Sequence, residues 1–207
     1  LKFIARIAAI AVTTALMSAP LAVLAAIPET DSGFVSPDMA APAAYCKKSG
    51  GHVEVRIPEY GTNGSNPLVL NGSHAFCRYY QKSDKSHIHI FLSTLYSTLP
   101  TLAALAYYAE VQPGSCNGNP ASCYCSLLGG SDQFGGADLN GGAWVNNKAP
   151  DADLEACIFP DLSSIDSWGL TYHSQNIIRG HDLSLVMRYP DPYAKKHGAS
   201  APFSAKK

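Results

Sequence analysis

Apolar and polar positions alternate most clearly from His52 to Ile57, where Val53, Val55 and Ile57 fall on one side of a half-buried strand. A turn-rich stretch follows (Gly61, Asn63, Gly64, Asn66, Pro67), and a second strand is predicted near His74–Tyr80. Ile88, Ile90 and Leu92 alternate in a third strand, Trp144 and Val145 start another, and Ile165, Trp168 and Leu170 mark a less regular one. Helical spacing appears in three places. Leu99, Leu102, Ala103 and Ala106 line one face of a helix opened by Thr98 and Pro100. Asn119 caps a second helix, Pro120 suits its first turn, Tyr124 and Leu128 share a face, and Gly129 stops it. Asp182 caps a short third helix with Leu183, Val186 and Met187 as its buried stripe. The pattern is that of an α+β protein.

Part of this pattern occurs twice. Tyr45-Cys46 is followed by three residues and Gly50-Gly51, and Tyr124-Cys125 by three residues and Gly129-Gly130, each with Pro-Ala just upstream (Pro42-Ala43 and Pro120-Ala121). The next matching cysteine stands 31 positions on in the first copy (Cys77) and 32 in the second (Cys157). Each is followed two residues later by an aromatic, Tyr79 or Phe159, and six residues later by Ser83 or Ser163. Several positions matching in register read as a duplicated unit. The expected order is helix, strand, strand, helix in tandem, over 41–112 and 113–190, packed as one protein.

The termini read differently. Lys2 and Arg6, the apolar run Ile7–Leu16 and small residues around Ala19, Ala25 and Ala26 make a secretory signal over 1–25, cut after Ala25, with Ala26 as the alternative. Residues 26–40 read as a flexible leader and 191–207 as a disordered tail. Of the 15 basic residues, Lys2 and Arg6 fall in the signal, leaving 13 against 16 acidic ones. There is no basic stripe, which argues against nucleic acid as a partner. No second long apolar run suggests a transmembrane span.

All six cysteines (Cys46, Cys77, Cys116, Cys123, Cys125, Cys157) follow the signal. An even count in an exported chain reads as three disulfides rather than a metal site, since Cys123 and Cys125 are one residue apart and no second close pair answers them. A duplicated unit should repeat its own bond, which pairs Cys46 with Cys77 and Cys125 with Cys157. Cys116 is then left with Cys123, across the turn-forming Asn117-Gly118-Asn119-Pro120.

Asn119-Pro120-Ala121-Ser122-Cys123-Tyr124-Cys125, Gly129-Gly130 and Ala156-Cys157-Ile158-Phe159-Pro160-Asp161 through Ser163, with Trp168, resemble the small bacterial domain of unknown function 333. The first copy matches at Tyr45-Cys46, Gly50-Gly51 and Cys77 but lacks the Asn cap, the Pro-Asp and the Trp. The resemblance covers about half of the exported chain. It implies a periplasmic or secreted location. Proteins with this domain are often labelled haemolysins, and no catalytic residues come with it.

Candidate chemistry is sparse. His87 and His89 share one face of a strand and can hold a metal, but no third ligand stands at recognisable spacing; the plainer reading is a solvent-facing pair opposite Ile88 and Ile90, with no metal or cofactor expected. A hydrolase would use Asp166, His173 and Ser163, with Asp161, Ser164 and His181 nearby, yet no Gly-x-Ser-x-Gly elbow is present. Asp161, Ser163, Asp166, Trp168, Tyr172 and His173 make the most polar and aromatic run and are the candidate binding surface. Trp168 alone reads equally as the core plug of a small domain, the more ordinary role. The expectation is a non-catalytic structural or binding module recognising a protein or an envelope polymer. A small hydrolase and a haemolysin-like toxin are the alternatives.

Overall fold

The computed structural model describes residues 37–61, 65–70, 72–132 and 141–194. The signal, most of the leader, Asn63, Gly64 and the tail beyond Ala194 lie outside the described residues.

After one 3-10 turn (Pro37–Met39), α1 (Ala40–Lys48) runs into β1 (His52–Tyr60). β2 (Leu68–Val69), β3 (His74–Tyr80) and β4 (His87–Phe91) follow, then α2 (Leu92–Tyr96) and α3 (Leu102–Ala109). α4 (Pro120–Leu127) precedes β5 (Gly142–Val145), β6 (Asp153–Leu154), β7 (Ala156–Ile158), β8 (Ser164–Asp166) and α5 (Ser167–His173). The strands make one eight-stranded sheet in the order β6-β5-β1-β3-β4-β8-β7, with β2 also on β1 and every pairing antiparallel. The molecule is therefore α+β, with both halves of the chain in one sheet.

Four local expectations are revised. Ile165 lies in β8, but Asp166 ends that strand and caps α5 by accepting the Gly169 N–H at 2.8 Å, so Trp168 and Leu170 are helical. Leu92 starts α2 rather than continuing the strand, and Thr101, not Thr98, caps α3. Asp182 caps a single 3-10 turn (Leu183–Leu185) instead of an α-helix.

The cysteines are bonded Cys46–Cys77, Cys116–Cys123 and Cys125–Cys157, the pairing read from the spacing. Two of these bonds sit in matching surroundings. The Gly51 N–H bonds the Cys46 carbonyl and the Gly130 N–H bonds the Cys125 carbonyl, both at 2.9 Å. A Cβ on Gly51 would collide with the sulfurs of Cys46 and Cys77, and one on Gly130 with those of Cys125 and Cys157, so only glycine lets the chain leave the helix across the disulfide. One residue on, His52 pairs with Arg78, and Ser131 pairs with Ile158. Between the halves, β4 meets β8 through Ile90 and Ile165.

One face of the sheet carries the Cys46–Cys77 and Cys125–Cys157 bonds and the helices. Cys77, Tyr79, Ile88, Ile90 and Ile165 pack there against Leu95, Ala103, Tyr107, Tyr124 and Leu170, all buried. The opposite face has its own aromatic cluster, Phe76, Phe91 and Trp144 with Leu154 and Ala156. The core tryptophan of this fold is thus Trp144, whereas Trp168 is half-buried.

This second face overturns the strand orientation read from the alternation. In β1 it is Glu54 and Arg56 that are buried, at 5% and 0% exposure, while Ile57 is 42% exposed. Both faces of the sheet are covered here, and the charged face is satisfied by ion pairing rather than by water. The same holds on β4, where His89 is fully buried although Ile88 and Ile90 behind it are buried as well.

Candidate functional site

Strand register gathers the buried charges. Arg78 pairs with His89 and Tyr80 with His87 across β3 and β4, and His52 with Arg78 across β1 and β3, placing Glu54, Arg78, His87 and His89 on one face. Asp151 enters from the turn between β5 and β6, and Asp166 from the end of β8.

Arg56 is the centre of this group. It donates to Glu54 Oε2 from Nε (3.2 Å) and Nη2 (2.7 Å), and to the carbonyls of Trp144 (3.0 Å), Ala152 (3.1 Å) and Asp151 (3.0 Å). Asp151 also faces Arg78 Nε at 3.4 Å and His87 Nε2 at 3.2 Å. His89 stands between carboxylates, with Nε2 3.2 Å from Glu54 and Nδ1 3.5 Å from Asp166.

The electrostatics follow from these contacts. Burial works to raise the Glu54 pKa, but hydrogen bonding and charge from His89 and Arg56 outweigh it and hold the group at about 2. Burial works to lower His89, but Asp166 and Glu54 raise it above the ordinary imidazole value. His87 is lowered, by burial first and by the neighbouring His89 and Arg78, against the pull of Asp151 and Asp166. The two histidines of one strand face are thus shifted in opposite directions.

Beside the cluster opens a cleft of about 460 Å³, lined by His87, Asp166, Trp168, Tyr172 and Arg179, with Asp153 and Glu155 on its acidic side. Helix α5 builds the aromatic wall. Trp168 and Tyr172 are four residues apart and so share a helix face, with ring centroids 6.0 Å apart. Gly169 lets the helix lie directly on β4, since a Cβ there would stand 2.5 Å from Ile88 Cγ1. The Arg179 guanidinium rests 4.8 Å from the Tyr172 ring centroid, a cation–π contact that fixes the far side of the wall.

The candidate run 161–173 divides. Asp166, Trp168 and Tyr172 meet at the cleft. Asp161 and Ser163 serve the start of α3: Asp161 accepts the Leu102 N–H at 2.8 Å, and Ser163 Oγ accepts the Ala103 N–H at 2.9 Å while donating to Asp161 at 2.6 Å. Burial tends to raise Asp161, but these bonds hold it below the usual carboxylate value. His173 is buried, stacked on Tyr107 with centroids 3.7 Å apart, and its Nε2 is 3.4 Å from Glu110. Asp166 and His173 mark opposite ends of α5, about 10 Å apart at the helical rise. Asp166, His173 and Ser163 are therefore not brought together as an acid–base–nucleophile set.

The sequence pattern does not single out Glu54, Arg56, Arg78 and Asp151. Their trace there was slight: two opposite charges two apart in β1, which normally mark the wet side of a strand. The pattern does single out His87 and His89, but places on the solvent face a pair of which His89 is fully buried.

Among the described residues no helix is long and apolar enough to cross a membrane. Three disulfides fit an oxidising compartment. Comparison of the chain with protein-family models, with curated proteins and with solved structures returns no match.

Proposed function

We propose that the chain is an exported, non-catalytic binding module whose cleft takes a saccharide portion of an envelope polymer. The observation that carries this reading is the aromatic wall: α5 holds Trp168 and Tyr172 half-buried in the lining of a cleft that His87 and Asp166 of the ion-paired cluster also line. Sugars present apolar C–H faces and rings of hydroxyls. Indole and phenol rings cover the first, while Asp153, Glu155 and Arg179 are donors and acceptors for the second. A site of this composition is concave and preorganised, since Asp166 is locked as a helix cap and Arg179 by its stacking.

The secretory signal and membership of the domain of unknown function 333 belong to the same proposal. So does tandem duplication. It is supported by the paired Gly–disulfide settings at Gly51 and Gly130, by the matching bridges His52–Arg78 and Ser131–Ile158, and by the Ile90–Ile165 contact midway. In this reading β5 and β6 are an insertion in the second unit that caps the first unit's edge at β1.

The test is saccharide-array screening followed by calorimetry with the best fragment. Trp168→Ala should weaken binding by about tenfold or more, as loss of a central aromatic anchor does, with an unchanged thermal midpoint. A chain that binds no saccharide, or binds undiminished as Trp168→Ala, overturns the reading. Turnover of an esterase, peptidase or glycosidase substrate that His87→Gln abolishes would replace it with an acid–base enzyme.

A further inference from the structure

His87 and His89 share a sheet face, and the ligand that the sequence did not place beside them is supplied by β8. Pairing of Ile165 with Ile90 sets Asp166 against His89, 77 residues away in the chain. Ligand atoms of His87, His89 and Asp166 all lie within 4.8 Å of one another. We infer that these three side chains bind a first-row divalent cation, zinc or an ion of like preference, at the floor of the cleft. The inference does not depend on what the aromatic wall recognises.

Four observations carry it. His89 Nδ1 is fully buried without a hydrogen bond, and the Asp166 Oδ2 facing it stands at 3.5 Å. Two ligands at about 2.0–2.1 Å from one tetrahedral ion are spaced at nearly that distance. Asp166 Oδ1 is occupied by the Gly169 N–H, which fixes the carboxylate and leaves Oδ2 turned to the histidines. Each histidine also has a carboxylate at Nε2, Asp151 for His87 and Glu54 for His89, both at 3.2 Å; such outer partners orient metal-binding imidazoles and raise their basicity. Finally, His87 and Asp166 line the cleft, so a cation held there would keep a coordination position open to it.

A second group, Glu54, His89 and Asp151, is equally close-set, but it already holds a cation. Arg56 Nη2 sits 2.7 Å from Glu54, 3.4 Å from Asp151 and 3.2 Å from His89. That guanidinium takes the place a metal would need. Two imidazoles and one carboxylate suit zinc and its first-row neighbours better than calcium or magnesium, which prefer all-oxygen sites.

Calorimetric titration of the untagged, chelator-treated native protein with zinc chloride tests this, with cobalt absorption spectra as an independent report of ligand type. One equivalent should bind. His87→Gln and Asp166→Asn should each weaken binding by at least about tenfold, whereas His52→Gln on the exposed start of β1 should leave it unchanged. Asp166→Asn keeps an oxygen for the Gly169 N–H and so can still cap α5, although it gives up the charge beside His89; with its fold in chelator verified by circular dichroism, this variant decides the matter if His87→Gln does not fold. Absence of saturable zinc uptake overturns the inference, as does one-equivalent uptake that Asp166→Asn leaves intact. Saccharide binding measured in chelator separates this outcome from failure of the proposed function.

Discussion

Arg56→Met would take a fully buried guanidinium out of the sheet while keeping an unbranched stem of similar length. The lost group ties β1 to the β5–β6 turn through three carbonyls and neutralises Glu54, itself only 5% exposed. Two routes give the size of the effect. Holding Glu54 at about 2 instead of 4.5 corresponds to roughly 3 kcal/mol of stability at neutral pH, part of it from His89. Removing one partner of a buried ion pair ordinarily costs about 3–5 kcal/mol, because the other charge stays behind. The routes overlap, and their value is a large share of the roughly 5–15 kcal/mol that holds a domain folded. Urea unfolding followed by tryptophan fluorescence measures it. The sign with pH is fixed: a depressed carboxylate stabilises the fold above its unfolded pKa, and that stability is lost as pH falls through the folded value. The deficit of Arg56→Met should thus shrink between pH 4.5 and about 2. A deficit below about 1 kcal/mol at neutral pH, or one that acid leaves unchanged, would refute the reasoning, since charge would not be what Arg56 supplies.

Gly51→Ala and Gly130→Ala should each cost about 1–3 kcal/mol by overpacking against the disulfide, and the penalty should fall when the facing cysteine pair is replaced by Ala, as a double-mutant cycle in urea would show. Loss of Cys125–Cys157, with a separation of 32, should cost about 4 kcal/mol against about 2 for Cys116–Cys123, with a separation of 7; equal losses would count against the loop-entropy account. Asp132 is pushed up to about 6, chiefly by burial, so the folded state holds its proton more tightly and stability is lost as pH rises through that value. Asp132→Asn should therefore stabilise the protein at neutral pH by up to about 3 kcal/mol, with no gain below pH 3.8, and stability curves at several pH values check it.

Local signals in the chain were sufficient for the elements that local chemistry controls. The Asn119 cap, Pro120 at the helix start and Gly129 beyond its end define α4, because those residues satisfy or terminate backbone hydrogen bonds within a few positions. The disulfides were legible through repeated spacing, which pairs residues without reference to a fold. β3 lies where the sequence places it, at His74–Tyr80, and α3 was legible from its period, although its cap is Thr101 rather than Thr98.

The site was not legible in this way. Alternation in β1 says that two residue types lie on opposite faces, but not which face is dry. Val53 packs on the helix-side core, yet Glu54 and Arg56 are the more buried, because β5, β6 and their turn fold over the other side and bring carbonyls and Asp151 to the guanidinium. His87 and His89 looked like a pair without a third ligand, and the strand register alone brings Asp166 to them. Likewise Ser163, Asp166 and His173 are close in sequence, but the end of β8 and the turn of α5 send them to three different places. Patterns within a few residues follow from backbone sterics and hydrogen bonding, and the amino-acid sequence determined those. Which charges share a buried space depends on strands paired across more than 70 residues, and only the tertiary structure decided that.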